Sequence, residues 1–144
     1  MHLEYPVTLH PMKNGTVMAK FMDVPEALTC GRDEKEALRL AQEALVLALT
    51  EAYMADRRSV PAPSKPKRGQ RTVALPPLVA AKLAVYQAMQ EEGVTQVELA
   101  ARLHQDDRQV RRLLDLKHRS RLDMLDRALH ALGRQMVLEI KRVA

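Results

Sequence analysis

"TQVELAARLHQDDRQVRRLLD" (Thr95–Asp115) reads as two short amphipathic helices with a corner between them. In the first, Leu99 and Leu103 are apolar, and Ala100 is small enough to let a second helix cross close by. The second tucks in Val110 and Leu113, three apart, and turns Asp107, Arg108, Arg111, Arg112 and Asp115 outward. A helix of this kind fits a major groove, where one arginine can bond guanine O6 and N7 together, worth ~1–3 kcal/mol of discrimination. Two amphipathic helices with a solvated charged face also occur in many helical proteins, so spacing alone leaves both readings open.

The residues around this pair extend the nucleic-acid reading. Thr95 and Gln96 open the first helix, where backbone N–H groups can hold a phosphate. Gln109 lies on the second helix, and "LKHRSRLD" (116–123) follows it with Lys117, His118, Arg119 and Arg121, a basic loop suited to the sugar-phosphate backbone. The candidate DNA-facing set is therefore Thr95, Gln96, Asp107, Arg108, Gln109, Arg111, Arg112, Lys117, His118 and Arg119. Asp106 has the residue type of an N-cap for the second helix.

Working back toward the start, the pattern changes. Leu3, Tyr5, Val7 and Leu9 alternate with Glu4, Pro6, Thr8 and His10, which is a strand with one buried face. Pro6 has no N–H and favours an edge strand. "HPMKNG" (10–15) supplies a turn and "TVMAKF" (16–21) resumes the alternation, giving a hairpin; a third short strand is expected near Leu28–Cys30. Asp33 and Glu36 have capping-box spacing, and Leu38, Ala41, Leu45, Ala48 and Ala52 follow helical spacing, so 33–54 is one long helix across a small sheet.

"DRRSVPAPSKPKRGQR" (56–71) has three prolines, six basic residues and one acid, without apolar periodicity. It reads as a linker, with a short strand expected at 71–75. Helices are expected at 77–91, 95–103, 106–115 and 122–132, with C-caps at Gly93 and Gly133. "QMVLEIK" (135–141) alternates as a strand, which either pairs with its counterpart in a second copy or folds back on its own domain. The expected organisation is an α+β domain at 1–55, the linker at 56–71, and an all-α domain at 76–144.

Composition bounds the function. One cysteine, Cys30, excludes a disulfide framework or a cysteine-based zinc site. No apolar run approaches a membrane span of roughly 18 residues, and the opening residues do not resemble a signal peptide, so a cytoplasmic protein is expected. Residues 1–54 hold 5 Lys/Arg against 8 Asp/Glu (−3), and 55–144 hold 18 against 10 (+8), which points to a polyanion as partner of the second half. No phosphate-binding glycine loop, nucleophile elbow or metal-spaced histidine pair occurs; neither an enzyme nor a cofactor is expected.

Two resemblances sharpen these readings. Gln96, Leu99, Ala100, Leu103, Val110, Leu113 and "RLDMLDRALHALG" (121–133) resemble the phage repressor and Cro type of helix-turn-helix. His104 stands where that family usually has glycine, and Gln105 where an apolar residue is usual, which implies a tighter or differently packed turn. "YPVTL" (5–9) and "FMDVPEALTCGRDEKEALRLAQEAL" (21–45) resemble the HicB antitoxin family through Tyr5, Pro6, Val7, Phe21, Asp23, Pro25, Thr29, Gly31, Glu36, Ala37 and Ala44. Met22, Glu26 and Asp33 depart from that family's commoner Pro, Gly and Thr. The resemblance implies a truncated RNase H-like front domain that neutralises HicA, a small messenger-RNA-cleaving ribonuclease. It also implies repression of the protein's own operon, with Tyr5, Met12, Met22 and Asp23 as expected toxin contacts. Operator palindromes imply a homodimer or higher oligomer.

Two rivals compete with that reading. One is a plain helix-turn-helix regulator whose front domain senses a ligand or oligomerises. The other places DNA binding in "RTVALPPLVAAKLAVYQ" (71–87), read as the start of a ribbon-helix-helix.

Overall fold

The computed structural model describes residues 3–143 and divides the chain into two units, Met1–Ala80 and Ala81–Ala144. The protein is α+β. The first unit contains β1 (Glu4–Pro11), β2 (Val17–Lys20), β3 (Leu28–Gly31), α1 (Glu34–Ala48, continued by a π-helical stretch, Leu49–Met54) and β4 (Arg71–Ala74). The strands form one antiparallel sheet in the order β3-β2-β1-β4.

The strand expected here forms, but its alternation is incomplete: Tyr5 and Val7 are fully buried and Leu3 and Leu9 half-buried, while Pro6, on the opposite face, is fully buried too. Thr8 pairs with Lys20 and Pro11 with Val17, so the 11–17 turn closes the expected hairpin. Pro6, however, lies in an inner strand, not at an edge. The β1–β2 ladder covers only Thr8–Pro11 and the β1–β4 ladder only Glu4–Val7. At Pro6 the strand thus has a neighbour on one side alone, and the missing N–H breaks no two-sided ladder.

Helix α1 begins where Asp33 caps it, its carboxylate accepting from the Glu36 N–H at 2.8 Å. Glu36 answers through the N–H of Arg32 rather than that of Asp33, so the reciprocal cap reaches one residue further back. The buried face is Ala37, Ala41, Leu45 and Ala48, with Leu38 only half-buried. Small residues bring the helix close to the sheet. A Cβ added at Gly31 would collide with the backbone of Ala37. Leu49 and Tyr53 then carry the buried face through the π-helical stretch.

The segment 56–71 expected as a linker is fastened to this unit. Val60 is buried, the Pro61 carbonyl accepts from the Tyr5 hydroxyl at 2.7 Å, Ser64 donates twice to Asp23, and Gln70 donates to Thr8. The strand expected at 71–75 forms as β4 and pairs with β1. With that segment included, residues 1–80 hold 11 Lys/Arg and 9 Asp/Glu (+2), and residues 81–144 hold 12 and 9 (+3). The acidic excess of the first 54 residues is therefore offset within its own unit.

Helix α2 (Pro77–Glu92) starts at the end of the first unit and lies chiefly in the second, followed by α3 (Gln96–Leu103), α4 (Asp107–Leu114) and α5 (Leu122–Ala131). These bounds match the expected helices to within a residue, and Gly93 and Gly133 adopt the positive φ of helix ends. Leu83, Leu99, Leu103, Val110, Leu113, Leu125 and Leu129 build the core of the second unit. The strand expected at 135–141 is not formed: 134–143 has no regular structure and does not fold back, since Val137, Leu138, Ile140 and Val143 are all exposed. An alternating stretch makes a strand only against another strand.

Candidate functional site

Each short helix of the second unit has its own cap. Thr95 accepts from the Glu98 N–H at 3.1 Å, and Asp106 from the Gln109 N–H at 2.9 Å. Such caps matter because an eight-residue helix leaves half its N–H groups without an internal partner. Between the helices, His104 sits in the left-handed region (φ 55°, ψ 40°). Its N–H reaches the Ala101 carbonyl at 3.2 Å, and the Gln105 N–H reaches that of Ala100 at 2.9 Å. This is the paired bonding of a Schellman end, which glycine normally fills. The corner is therefore not tightened by histidine; His104 takes the glycine conformation and carries the strain.

Helix α4 buries Val110 and Leu113 and exposes Asp107, Arg108, Arg111 and Arg112; Gln109 is half-buried. Thr95, Gln96, Lys117, His118 and Arg119 are exposed as well. Three nearby arginines are tied down: Arg102 to the Ala131 carbonyl, Arg121 to Asp123, and Arg134 to Glu91 and Glu92. By contrast, Arg108, Arg111, Arg112, Lys117 and Arg119 have no ion pair or side-chain hydrogen bond among the described residues. Five uncommitted cations thus lie on one helix and the loop after it.

The end of α4 rests on a residue that the sequence reading passed over. Lys82 on α2 is fully buried, and its ammonium donates to the Arg112 carbonyl at 2.6 Å, the Leu113 carbonyl at 3.3 Å and the Ser120 hydroxyl at 2.7 Å. Burial pulls its pKa below the ordinary lysine value, while the Asp115 carboxylate works the other way. A cation at a helix C-terminus satisfies orphan carbonyls and opposes the negative end of the dipole. Its signal was available: Val79, Lys82, Leu83 and Tyr86 share a buried helical face. The loop is pinned too, with Asp115 accepting from the Lys117 N–H and His118 Nδ1 3.2 Å from the Ser120 hydroxyl.

In the first unit the four expected contact residues divide into two kinds. Met12 and Met22 are exposed, Met22 by 72%. Tyr5 is fully buried, its hydroxyl bound to Pro61, and burial with help from Asp23 and Tyr53 pushes its pKa up to about 12. Asp23 is engaged by the Ser64 N–H and hydroxyl. Both anchor the 60–64 segment instead of presenting a free group. Glu26 is similarly occupied: it accepts from the Tyr53 hydroxyl at 2.8 Å, which holds its pKa low, and Arg58 stacks over the same ring at 4.4 Å.

Helix α1 covers one face of the sheet. On the other face the register aligns Thr8, Lys20 and Leu28 in one row and His10, Met18 and Cys30 in the next. Leu28 and Cys30 are exposed there. No group of three or more His, Cys, Asp or Glu placed to hold a metal ion occurs among the described residues, nor does any helix among them have the length and apolarity to cross a membrane.

An antiparallel sheet with one long helix, followed along the chain by helices of which α4 is the basic one, is the setting in which relatives become informative. The family model of HicB-like antitoxins of bacterial toxin–antitoxin systems matches residues 4–84, and the chain belongs to this family. It is 37% identical over 140 residues to Antitoxin HicB 1 of Photorhabdus laumondii, covering 97% of this chain and 88% of that protein. It is 35% identical to Antitoxin HicB of Escherichia coli K12 (94% and 98% covered) and 34% identical to Antitoxin HicB of Pseudomonas fluorescens (96% and 94%). These matches extend over both units.

Proposed function

We propose that the chain neutralises a HicA-type ribonuclease with its first unit and represses its own operon by reading operator DNA with its second, as a helix-turn-helix protein acting in the cytoplasm. The observation that carries the DNA-reading part is the set of five unpaired cations on α4 and the 117–119 loop. A polyanion rewards uncommitted Lys and Arg through release of its condensed counterions, and a rigidly held helix lets two or three of them also read base edges. Capping by Asp106 at one end and Lys82 at the other supplies that rigidity.

We assign the toxin-facing surface to the sheet face opposite α1, where Leu28 is exposed, together with the exposed Met12 and Met22 just past the ends of β1 and β2. Tyr5 and Asp23 shape that unit indirectly, by holding the 60–64 segment. The neutralising role requires no metal or catalytic group, because covering a ribonuclease's RNA-binding surface is enough to inhibit it. The ribbon-helix-helix alternative fares worse, since β4 is already spent pairing with β1 of the same chain.

The test is fluorescence anisotropy with the duplex upstream of the protein's own gene and a scrambled duplex, at several salt concentrations. Tighter, more salt-resistant binding to the upstream duplex is expected. Equal and salt-erased binding to both would leave α4 as merely a charged surface. In parallel, co-expression with the neighbouring small basic protein should give a complex of fixed ratio and restore growth. A freely separating pair would reject the toxin-neutralising half.

A further inference from the structure

We infer that the basic turn at Lys65–Arg68 in the first unit is a phosphate-backbone contact for duplex DNA, separate from α4 and indifferent to base sequence. It rests on the DNA-binding part of the reading above only for the identity of the partner.

Residues 64–71, "SKPKRGQR", hold four Lys/Arg and no Asp/Glu. Arg71 lies 3.8 Å from Glu34. Lys65, Lys67 and Arg68 are exposed, and none has an ion pair or side-chain hydrogen bond among the described residues. Asp23, the carboxylate that holds the start of the segment, is already engaged by the Ser64 N–H and hydroxyl.

The backbone beneath these cations is fixed at both ends. Asp23 accepts from Ser64 at 2.9 and 3.0 Å. Gln70 closes the other end: its Oε1 accepts from the Lys67 N–H at 2.8 Å, and its own N–H donates to the Lys67 carbonyl at 3.0 Å. The Gln70 Nε2 then reaches the Thr8 hydroxyl on β1 at 3.1 Å. Gly69, at φ 85°, supplies the left-handed residue that this turn requires. The cations are therefore presented on a backbone that needs no further ordering when a partner binds.

The surroundings select the partner. A protein interface is built on buried apolar anchors and is poor in lysine. Within 61–71 no large apolar side chain is exposed. A single-stranded nucleic acid is gripped by stacking its bases on exposed rings. The chain has four aromatic residues, Tyr5, Phe21, Tyr53 and Tyr86, and all are buried. A duplex backbone asks for neither anchor nor ring: its close-set phosphates reward free cations through release of condensed counterions.

Fluorescence anisotropy of the full chain over a range of salt provides the test, with the triple variant Lys65→Ala, Lys67→Ala, Arg68→Ala. The bonds of the turn run through backbone atoms, Ser64 and Gln70, so the substitutions remove none of them. The upstream and scrambled duplexes should both bind about tenfold more weakly at low salt, with the ratio between them unchanged. The slope of log K against log salt should fall by about 2–3, one phosphate contact for each cation lost. A control, Lys13→Ala with Lys35→Ala, removes exposed cations scattered elsewhere in the unit and should leave the slope as it is. An unchanged slope in the triple variant, or an equal loss in the control, overturns the proposal. So does a triple variant that keeps its duplex affinity while losing the co-expressed small basic protein or a single-stranded RNA, which would give the turn to that partner. If the slope falls as expected but the wild-type chain has no preference for the upstream duplex, the contact stands and the repressor reading falls. If the preference holds and the slope is unchanged, the reverse is true.

Discussion

The Lys82 ammonium lies 2.6 Å from the Arg112 carbonyl, so a buried cation on α2 terminates the basic helix α4. The same ammonium holds Ser120, whose hydroxyl also lies 3.3 Å from that carbonyl. One side chain therefore fixes both the helix end and the start of α5's entry loop. Replacing it with methionine keeps the length but leaves two carbonyls and a hydroxyl short of a donor. Lys82→Met should cost about 1–3 kcal/mol in urea denaturation. In anisotropy it should also lower the preference for the upstream duplex more than its affinity for scrambled DNA. A variant that loses stability with an unchanged preference would show that Lys82 holds the fold without positioning α4.

Tyr5 gives the first unit a dependence on alkaline pH. Its folded pKa is raised to about 12 from an ordinary 10.0, through burial, with smaller contributions from Asp23 and Tyr53. The folded chain therefore keeps a proton that the unfolded chain releases. The stabilisation is complete below pH 10 and is lost as pH rises toward 12, by roughly 2–3 kcal/mol over the window. Lys82 acts in the opposite sense, adding stability as pH climbs between its lowered value and 10.5, so it blunts the early part of the fall. Denaturation at pH 9, 10 and 11 should show a decline that Tyr5→Phe reduces. At pH 8 the same substitution should cost about 1 kcal/mol, for the lost bond to Pro61.

His104 offers a stabilising change. A side chain at φ 55° carries the strain of the left-handed conformation, which glycine avoids. His104→Gly should raise stability by about 1 kcal/mol, a gain partly offset by the greater freedom of an unfolded glycine. The two bonds of the Schellman end are backbone bonds and survive the change. Thermal unfolding of the purified variant measures it; a lower midpoint would mean that the imidazole makes a compensating contact in solution.

Much of the fold was legible because it is encoded locally. Alternation marked β1 and β2, Asp33 marked the start of α1, and Leu99, Ala100, Val110 and Leu113 fixed the buried sides of α3 and α4. What escaped depends on distant partners. The 56–71 segment carries no apolar period, and its anchors (Tyr5 to Pro61, Asp23 to Ser64, Thr8 to Gln70) join residues 41 to 62 apart in the chain. The edge placement of Pro6 failed because an inner strand can be paired on different sides at its two ends. Lys82 was passed over because a lysine on a helix is ordinarily solvated, although its spacing from Val79, Leu83 and Tyr86 set it on an apolar face. His104 was misjudged by type as well: residue identity suggested a changed turn, while the backbone kept the turn and accepted the strain.

The two kinds of contact expected of the basic surface can be separated by their salt dependence. Arg111 lies on the exposed side of α4, and Lys117 lies on the loop after it, where Asp115 accepts from the Lys117 N–H and Ser120 lies beside the His118 ring. If Arg111 reads a base edge, Arg111→Ala should cost ~1–3 kcal/mol on the upstream duplex and little on the scrambled one, relaxing sequence preference. If Lys117 contacts phosphate, Lys117→Ala should weaken both duplexes alike and reduce the slope of log K against log salt by about 1. Measured together, the two variants separate a reading helix from a merely positive one. Parallel losses on both duplexes for Arg111→Ala, with the slope change of a phosphate contact, would place Arg111 on the backbone and move sequence reading to Arg108 or Arg112.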